Sequence, residues 1–134
     1  MKKDIPVYVV EDIAMAVVKE QSKDKETEWN VYIINLKNEK IEGVLVASKG
    51  YGGFDGEEIR TSTLRHFLDT IEAKSYAKVE LILENLFGIS NEYWLSFYQG
   101  KIMYDKKYIF LPETIKEENF TNIPILNKKG VMIK

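Results

Sequence analysis

The sequence predicts an α+β fold: a largely antiparallel β-sheet of about six to seven strands, with one amphipathic helix at about residues 62–71 packed on a face. Two runs rich in aromatic and β-branched residues within 91–111 flank Gln99-Gly100, the composition of a β-hairpin with a tight turn. Several other runs alternate between apolar and polar residues, as half-buried strands do. One segment repeats apolar residues at the spacing of a helix.

Composition places further bounds on the protein. Its 134 residues, 45% hydrophobic and 30% charged, predict one compact domain spanning residues 1–134. The net charge of −2 gives no overall attraction to the phosphates of a nucleic acid, so a nucleic-acid partner is not expected. The absence of cysteine excludes disulfides, a thiol nucleophile and thiolate metal ligands.

The N-terminus imitates a signal peptide only in its first residues. Met1-Lys2-Lys3 supplies positive charge, but the apolar run 5–10 contains Pro6 and stops at Glu11-Asp12. No run of the sequence approaches the ~18 apolar residues that a membrane span needs. The sequence therefore predicts a soluble cytoplasmic protein that makes no contact with a membrane.

The first third of the chain predicts three strands. Residues 7–20 fit both a helical stripe and the alternation of a strand, and their β-branched residues favour a strand at about 13–20. Residues 29–36 carry apolar side chains on both faces, which predicts a strand in the middle of a sheet. With 41–48 as the next strand, the three form a predicted antiparallel meander.

A glycine-rich segment and the predicted helix come next. Residues 49–59 hold glycine at 50, 52, 53 and 56, which predicts a loop or a protruding hairpin tip. The helix is predicted to begin near Thr61 or Ser62, since either hydroxyl can cap it. Its apolar stripe at positions i, i+3, i+4 and i+7 consists of Leu64, Phe67, Leu68 and Ile71.

The second half of the chain predicts more strands than helix. Residues 76–83 alternate between apolar and charged side chains, as a strand with one wet face does. The hairpin of residues 91–111 follows, and residues 113–119 are compatible with one helical turn. A short closing hairpin is predicted from two apolar runs, 123–126 and 131–133.

His66 is the only histidine and thus the candidate acid or base catalyst. A zinc site built on several histidines is excluded, because no other histidine and no cysteine is present. The competing interpretation places His66 on the side of the helix opposite Leu64, where it meets solvent or a loop.

Lys49, Arg60 and Arg65 are the candidate ligand-binding residues. They surround the glycine-rich segment and the start of the predicted helix, where free backbone N–H groups and the helix dipole favour an anion. Gly50-Tyr51-Gly52-Gly53 matches neither the dinucleotide-binding nor the P-loop pattern. The alternative is an ordinary hairpin tip followed by a capped helix.

Metal and cofactor binding are not expected. Asp55, Glu57 and Glu58 could gather around a hard cation, but they lack the spacing of a calcium-binding loop, and turn residues are commonly acidic. The prediction is therefore that the protein holds no metal and no cofactor.

The aromatic residues of the 91–111 hairpin are candidates for a protein interface. They have few basic neighbours, which argues against the stacking of nucleic-acid bases. Packing in the core is the competing role, and an exposed aromatic sheet face would suit a protein partner or a two-fold homodimer. The candidate interface residues are Trp94, Tyr98, Tyr104 and Tyr108.

Four segments resemble a family of small uncharacterised bacterial proteins, and the likeness spans nearly the whole chain. The segments are Ser48-Lys49-Gly50-Tyr51-Gly52, Arg60-Thr61-Ser62-Thr63-Leu64-Arg65-His66-Phe67, Asn91-Glu92-Tyr93-Trp94 and Asp105-Lys106-Lys107-Tyr108-Ile109-Phe110. Some members are mislabelled as a phenylalanyl-tRNA synthetase subunit. This chain is too short for the catalytic or tRNA-binding domains of that enzyme and matches none of their motifs. The resemblance therefore implies no catalytic residue.

Two functional hypotheses follow from the sequence. The first is a non-enzymatic cytoplasmic binding or interaction module that associates with a protein partner or with a second copy through an aromatic sheet face. The alternative is a binder of a small anionic ligand, or a minor enzyme, that uses residues 49–66.

Overall fold

The computed structural model describes residues 8–54 and 56–134, and within these ranges the chain forms ten strands in two antiparallel sheets. The strands are β1 (Ile13–Gln21), β2 (Thr27–Asn35), β3 (Ile41–Phe54), β4 (Glu57–Arg60), β5 (Leu64–Ile71), β6 (Ser75–Ile82), β7 (Ser90–Gln99), β8 (Ile102–Phe110), β9 (Thr121–Ile123) and β10 (Lys128–Ile133). The helical elements in these ranges are two 3₁₀ turns, Glu84–Leu86 and Glu117–Asn119. In the described ranges, neither turn is long or apolar enough to cross a membrane.

Within the described residues, each sheet has five strands. The first sheet has the order β6-β2-β1-β10-β9, and the second has the order β4-β3-β7-β8. Strand β5 also belongs to the second sheet, because it pairs with residues 41–48 of β3 on the edge where β4 pairs with residues 51–54. The long strand β3 therefore carries two short edge strands on one side and β7 on the other.

The predicted α+β class is wrong, because residues 62–71 form no helix. Residues 64–71 are strand β5, paired with β3. Asp69 has a φ of 59° and lies at a register shift, so the alternation of side chains restarts there. Leu68 and Ile71 consequently both face the core although three residues separate them. This bulge reproduces the i, i+3 spacing of a helix within a strand.

Most of the other predicted elements are confirmed. The strands at 13–20, 29–36 and 76–83 and the two hairpins are present within a few residues of their expected ends. The meander is wrong in its third strand: β1 pairs with β2, but the other edge of β2 is taken by β6. Strand β3 continues through the glycine-rich segment and forms a hairpin with β4.

The two sheets pack face to face around one apolar core. Met15, Val31 and Ile33 of the first sheet contribute to it together with Val46 and Leu95 of the second, and all five are fully buried. Burial of this kind is the main source of stability of a sandwich of sheets.

The outer face of the first sheet is partly covered by the chain itself. Ile123 and the connection after it pack on Ala14, Ala16 and Ile34. Strands β1 and β2 are therefore apolar on both faces, which explains the pattern seen in residues 29–36. The equivalent outer face of the second sheet has no such cover in the described chain.

Candidate binding surfaces on the second sheet

The outer face of the second sheet presents side chains in register across four strands. One row consists of Arg65, Ala47, Trp94 and Lys107, and the next of Phe67, Leu45, Ser96 and Asp105. Trp94 is 43% exposed and Phe67 68% exposed. We call the apolar part of this surface the outer aromatic face; it comprises Leu45, Phe67, Trp94, Tyr98, Met103 and Ile109.

The predicted interface residues are divided between the two faces. Trp94 and Tyr98 lie on the outer aromatic face, but Tyr104 and Tyr108 point into the core. The Tyr104 ring stacks on Phe97 at 5.2 Å, and the buried Tyr108 hydroxyl donates a hydrogen bond to the carbonyl oxygen of Ile13 at 2.7 Å. Burial raises the pKa of the Tyr108 hydroxyl. Tyr104 and Tyr108 therefore belong to the packing between the sheets.

Four apolar members of the outer aromatic face were missed by sequence reasoning, and Leu45 of β3 is one of them. Phe67 was assigned to the buried stripe of the expected helix, and the alternation of β5 turns it outward instead. Met103 and Ile109 lie on β8, whose odd-numbered side chains face outward. Strict alternation from the Gln99-Gly100 turn would have identified both of these residues.

A second surface, which we call the hairpin cavity, lies where β3, β4 and β7 meet and has a volume of about 570 Å³. Lys49 and Arg60, both expected to bind an anion, line it. Arg65 does not, because it lies one row away beside Ala47 on the outer face. Glu58 and Glu92, which the sequence did not single out, also line the cavity.

The prediction of an anion site depended on a helix that the structure does not contain at residues 62–71. The residues after the hairpin form β5, so no helix N-terminus supplies free N–H groups there. The Gly50 N–H donates to the Thr61 hydroxyl at 2.8 Å, and the Thr61 N–H donates to the Gly50 carbonyl at 2.9 Å. These two amides are therefore occupied by partners within the hairpin.

The charges around the hairpin cavity balance. The exposed Arg60 guanidinium donates to Glu58 Oε1 at 2.6 and 2.9 Å. Lys49 Nζ lies 3.8 Å from Glu92 Oε2, beyond hydrogen-bonding distance. The lining contains two cations and two carboxylates, so Lys49 and Arg60 share the cavity with an equal number of negative charges.

Glu92 is the buried member of this set, at 5% exposure. The Tyr51 hydroxyl donates to its Oε1 at 3.2 Å, and within the described residues this is the one hydrogen bond to the carboxylate. Burial raises the pKa of Tyr51, and the adjacent carboxylate raises it further. An ionised carboxylate can accept about four hydrogen bonds, so Glu92 has acceptor capacity left on the cavity wall.

His66 lies between the sheets and not on a solvent-facing helix. Its Nε2 is 2.7 Å from Glu80 Oε1, and its side chain is 27% exposed. Ser48 donates to the same oxygen at 2.7 Å, and the Tyr93 hydroxyl donates to Oε2 at 3.1 Å. Burial and the nearby Glu80 charge raise the pKa of Tyr93. Glu80 thus joins three side chains of the second sheet to β6 of the first.

The Glu80 cluster has a different arrangement from a hydrolytic triad. Ser48 and His66 both bind Glu80, whereas a serine nucleophile must hydrogen-bond its base directly. A cavity of about 110 Å³ adjoins Ser48, Glu80 and Tyr93. The geometry accounts for these residues as a polar connection between the sheets.

The remaining candidates concern metals and the N-terminus. Asp55 of the acidic trio and the N-terminal residues 1–7 lie outside the described residues. In residues 8–54 and 56–134, no group of three or more potential ligands is arranged to hold a metal ion. Comparisons with protein-family models, curated proteins and solved structures give no match for this chain.

Proposed function

We propose that this protein is an interaction module that associates with a second copy of itself through the outer aromatic face. The observation that carries the proposal is the contrast between the two outer faces. The first sheet is partly covered by Ile123 and the residues that follow, whereas Phe67, Trp94 and Tyr98 of the second are exposed in the described structure. Contiguous exposed apolar surface of this kind marks interaction sites.

The charges on this face suit a second copy. Arg65 and Lys107 lie at the two ends of the row that contains Trp94, and the Lys107 ammonium lies 4.5 Å from the centre of the indole ring. Asp105 lies in the neighbouring row. Within residues 8–54 and 56–134, none of these three charges forms an ion pair. In a two-fold dimer, a contact between Lys107 of one copy and Asp105 of the other would be made twice.

The size of the face also supports association. Four strands spaced by ~4.8 Å and ~8 residues long cover a flat area of roughly 500 Å². The accessible area is larger, because the aromatic side chains protrude from the sheet. A specific interface buries about 800 Å² on each partner, so this face would supply more than half of such a contact.

The test is sedimentation of the wild-type protein over a wide range of concentration, with Phe67→Glu and Trp94→Glu as variants. Each substitution would bury a carboxylate in the interface, so we expect the dimer dissociation constant to rise about hundredfold or more. Leu81→Glu is the matched control, because Leu81 is 47% exposed on a strand of the other sheet. The control should remain dimeric.

Two results would overturn the proposal. One is a wild-type protein that stays monomeric at every concentration. The other is dimerisation that Phe67→Glu and Trp94→Glu leave as strong as in the wild type, since the contact would then lie elsewhere.

A further inference from the structure

We propose that the hairpin cavity binds a zwitterionic ligand of the α-amino-acid class, with its ammonium group against Glu92 and its carboxylate against Lys49 and Arg60. The walls of the cavity come from β3, β4 and β7 of one copy. The inference therefore does not depend on self-association.

Glu92 is the group that would bind the ammonium of the ligand. Its side chain is 6% exposed, and within the described residues it accepts one hydrogen bond, of 3.2 Å. A buried carboxylate is costly unless several donors surround it. Since Glu92 lines the cavity, a ligand that brings a cationic donor could use the acceptor positions of this carboxylate that the described residues leave open.

Lys49 and Arg60 are the groups that would bind the carboxylate of the ligand. Lys49 is half exposed and 3.8 Å from Glu92, so its ammonium is not committed to a hydrogen bond with that carboxylate. The Arg60 side chain is 75% exposed and donates hydrogen bonds to Glu58, whose side chain is 69% exposed. Exposed pairs of this kind contribute little to stability, so the guanidinium can turn to a ligand carboxylate at small cost.

The balance of charges selects the ligand class. A simple anion would be repelled by the buried Glu92 carboxylate, and a simple cation would be repelled by Lys49 and Arg60. A molecule with both groups a few ångströms apart satisfies both sides at once. The volume of about 570 Å³ lies within the range of small-molecule sites and leaves room for a side chain.

The experiment measures thermal unfolding and calorimetric titration of the full chain with free L-amino acids at millimolar concentration. For the amino acid that raises the midpoint most, the N-acetyl form tests the ammonium and the amide form tests the carboxylate. We expect each blocked form to bind about tenfold more weakly or worse, because it loses one charge-assisted contact.

Variants locate the site. Glu92→Gln keeps the shape of the side chain and should raise the dissociation constant about tenfold or more. Arg60→Ala removes a side chain that is 75% exposed, and it should weaken binding similarly. The matched control is Lys116→Ala, which removes a half-exposed cation that pairs with Glu118 two residues away, as Arg60 pairs with Glu58. Its affinity should equal that of the wild type.

Three outcomes would overturn the inference. They are no shift of the midpoint by any free amino acid, equal binding of the N-acetyl form, and binding that Glu92→Gln and Arg60→Ala leave unchanged. A dimer with an empty hairpin cavity would refute this inference and leave the proposed function standing, and a monomer that binds amino acids would do the reverse.

Discussion

At the scale of single residues, Glu80 has the most partners between the sheets. It is 14% exposed at its side chain and accepts hydrogen bonds from Ser48 and Tyr93 while contacting His66. Glu80→Ala would leave two hydroxyls without an acceptor, so we expect the free energy of unfolding to fall by about 3 kcal/mol. Glu80→Gln retains one acceptor and should cost about 1 kcal/mol.

Urea denaturation measures this prediction. Glu118→Ala serves as the control, because Glu118 is 80% exposed and its removal should change the free energy of unfolding by less than about 0.5 kcal/mol. A Glu80→Ala protein as stable as this control would show that the cluster contributes nothing to the packing of the sheets.

Glu20 makes the free energy of unfolding depend on pH in the acidic range. Burial alone would raise the pKa of its carboxyl, but hydrogen bonds from Lys128, Tyr32 and Asn30 together lower it below the ordinary value of 4.5. The unfolded chain therefore takes up the proton first, and the contribution of Glu20 is lost as the pH falls from about 4.5 through the lower folded-state pKa.

Glu20→Gln should consequently lower stability at neutral pH and flatten its decline in acid. The measurement is urea denaturation at a series of pH values from neutral to below the ordinary carboxyl pKa, with Glu118→Gln as the control for loss of one acid. If Glu20→Gln declines as steeply as the wild type, the lowered pKa of Glu20 is refuted.

At the scale of elements, Gly130 determines how closely β10 approaches β1. It pairs with Val18, and a Cβ at this position would overlap the carbonyl oxygen of Val17. Gly130→Ala must therefore push the strands apart, and we expect it to cost about 2 kcal/mol or more. Gly53→Ala is the control, since its Cβ would meet the Glu57 carbonyl at an ordinary 3.7 Å. Chemical denaturation measures the free energy of unfolding of both variants, and equal values would contradict the prediction.

The elements also show what the sequence can and cannot predict. Strands with clean alternation or with apolar residues on both faces were placed within a few residues, because their pattern is local. Strand β5 was not, because the bulge at Asp69 puts Leu68 and Ile71 on one face and so imitates a helix. Only the pairing with β3, which is a non-local contact, distinguishes this bulged strand from a helix.

The candidate site residues also divide into those that local sequence indicates and those that depend on contacts between remote strands. Lys49 and Arg60 were candidates because both lie close in sequence to the glycine-rich segment, and the pairing of β3 with β4 places both on the wall of one cavity. Glu92 reaches the hairpin cavity from β7, and Glu80 reaches His66 from the other sheet. Both positions follow from strand order, and the same set of strands can be connected in several orders. Charged residues on remote strands were therefore beyond a reading of the sequence alone.

At the scale of the whole molecule, the proposed dimer predicts a specific exchange of charge. If Lys107 of one copy lies near Asp105 of the other, Lys107→Asp and Asp105→Lys should each place like charges across the two-fold axis. Like charges at an interface cost up to several kcal/mol, so we expect each variant alone to be largely monomeric. An equimolar mixture should form heterodimers, because every pair across the axis is then of opposite sign.

Native mass spectrometry distinguishes the heterodimer, since the two variants differ in mass. High salt should weaken the heterodimer and relieve the repulsion in each variant alone, because exposed charges are screened over ~10 Å at moderate ionic strength. Two homodimeric variants, or a mixture that stays monomeric, would show that these charges do not face each other. Both charge variants could still associate while Trp94→Glu does not. The outer aromatic face would then remain the contact, but one copy would be rotated differently relative to the other.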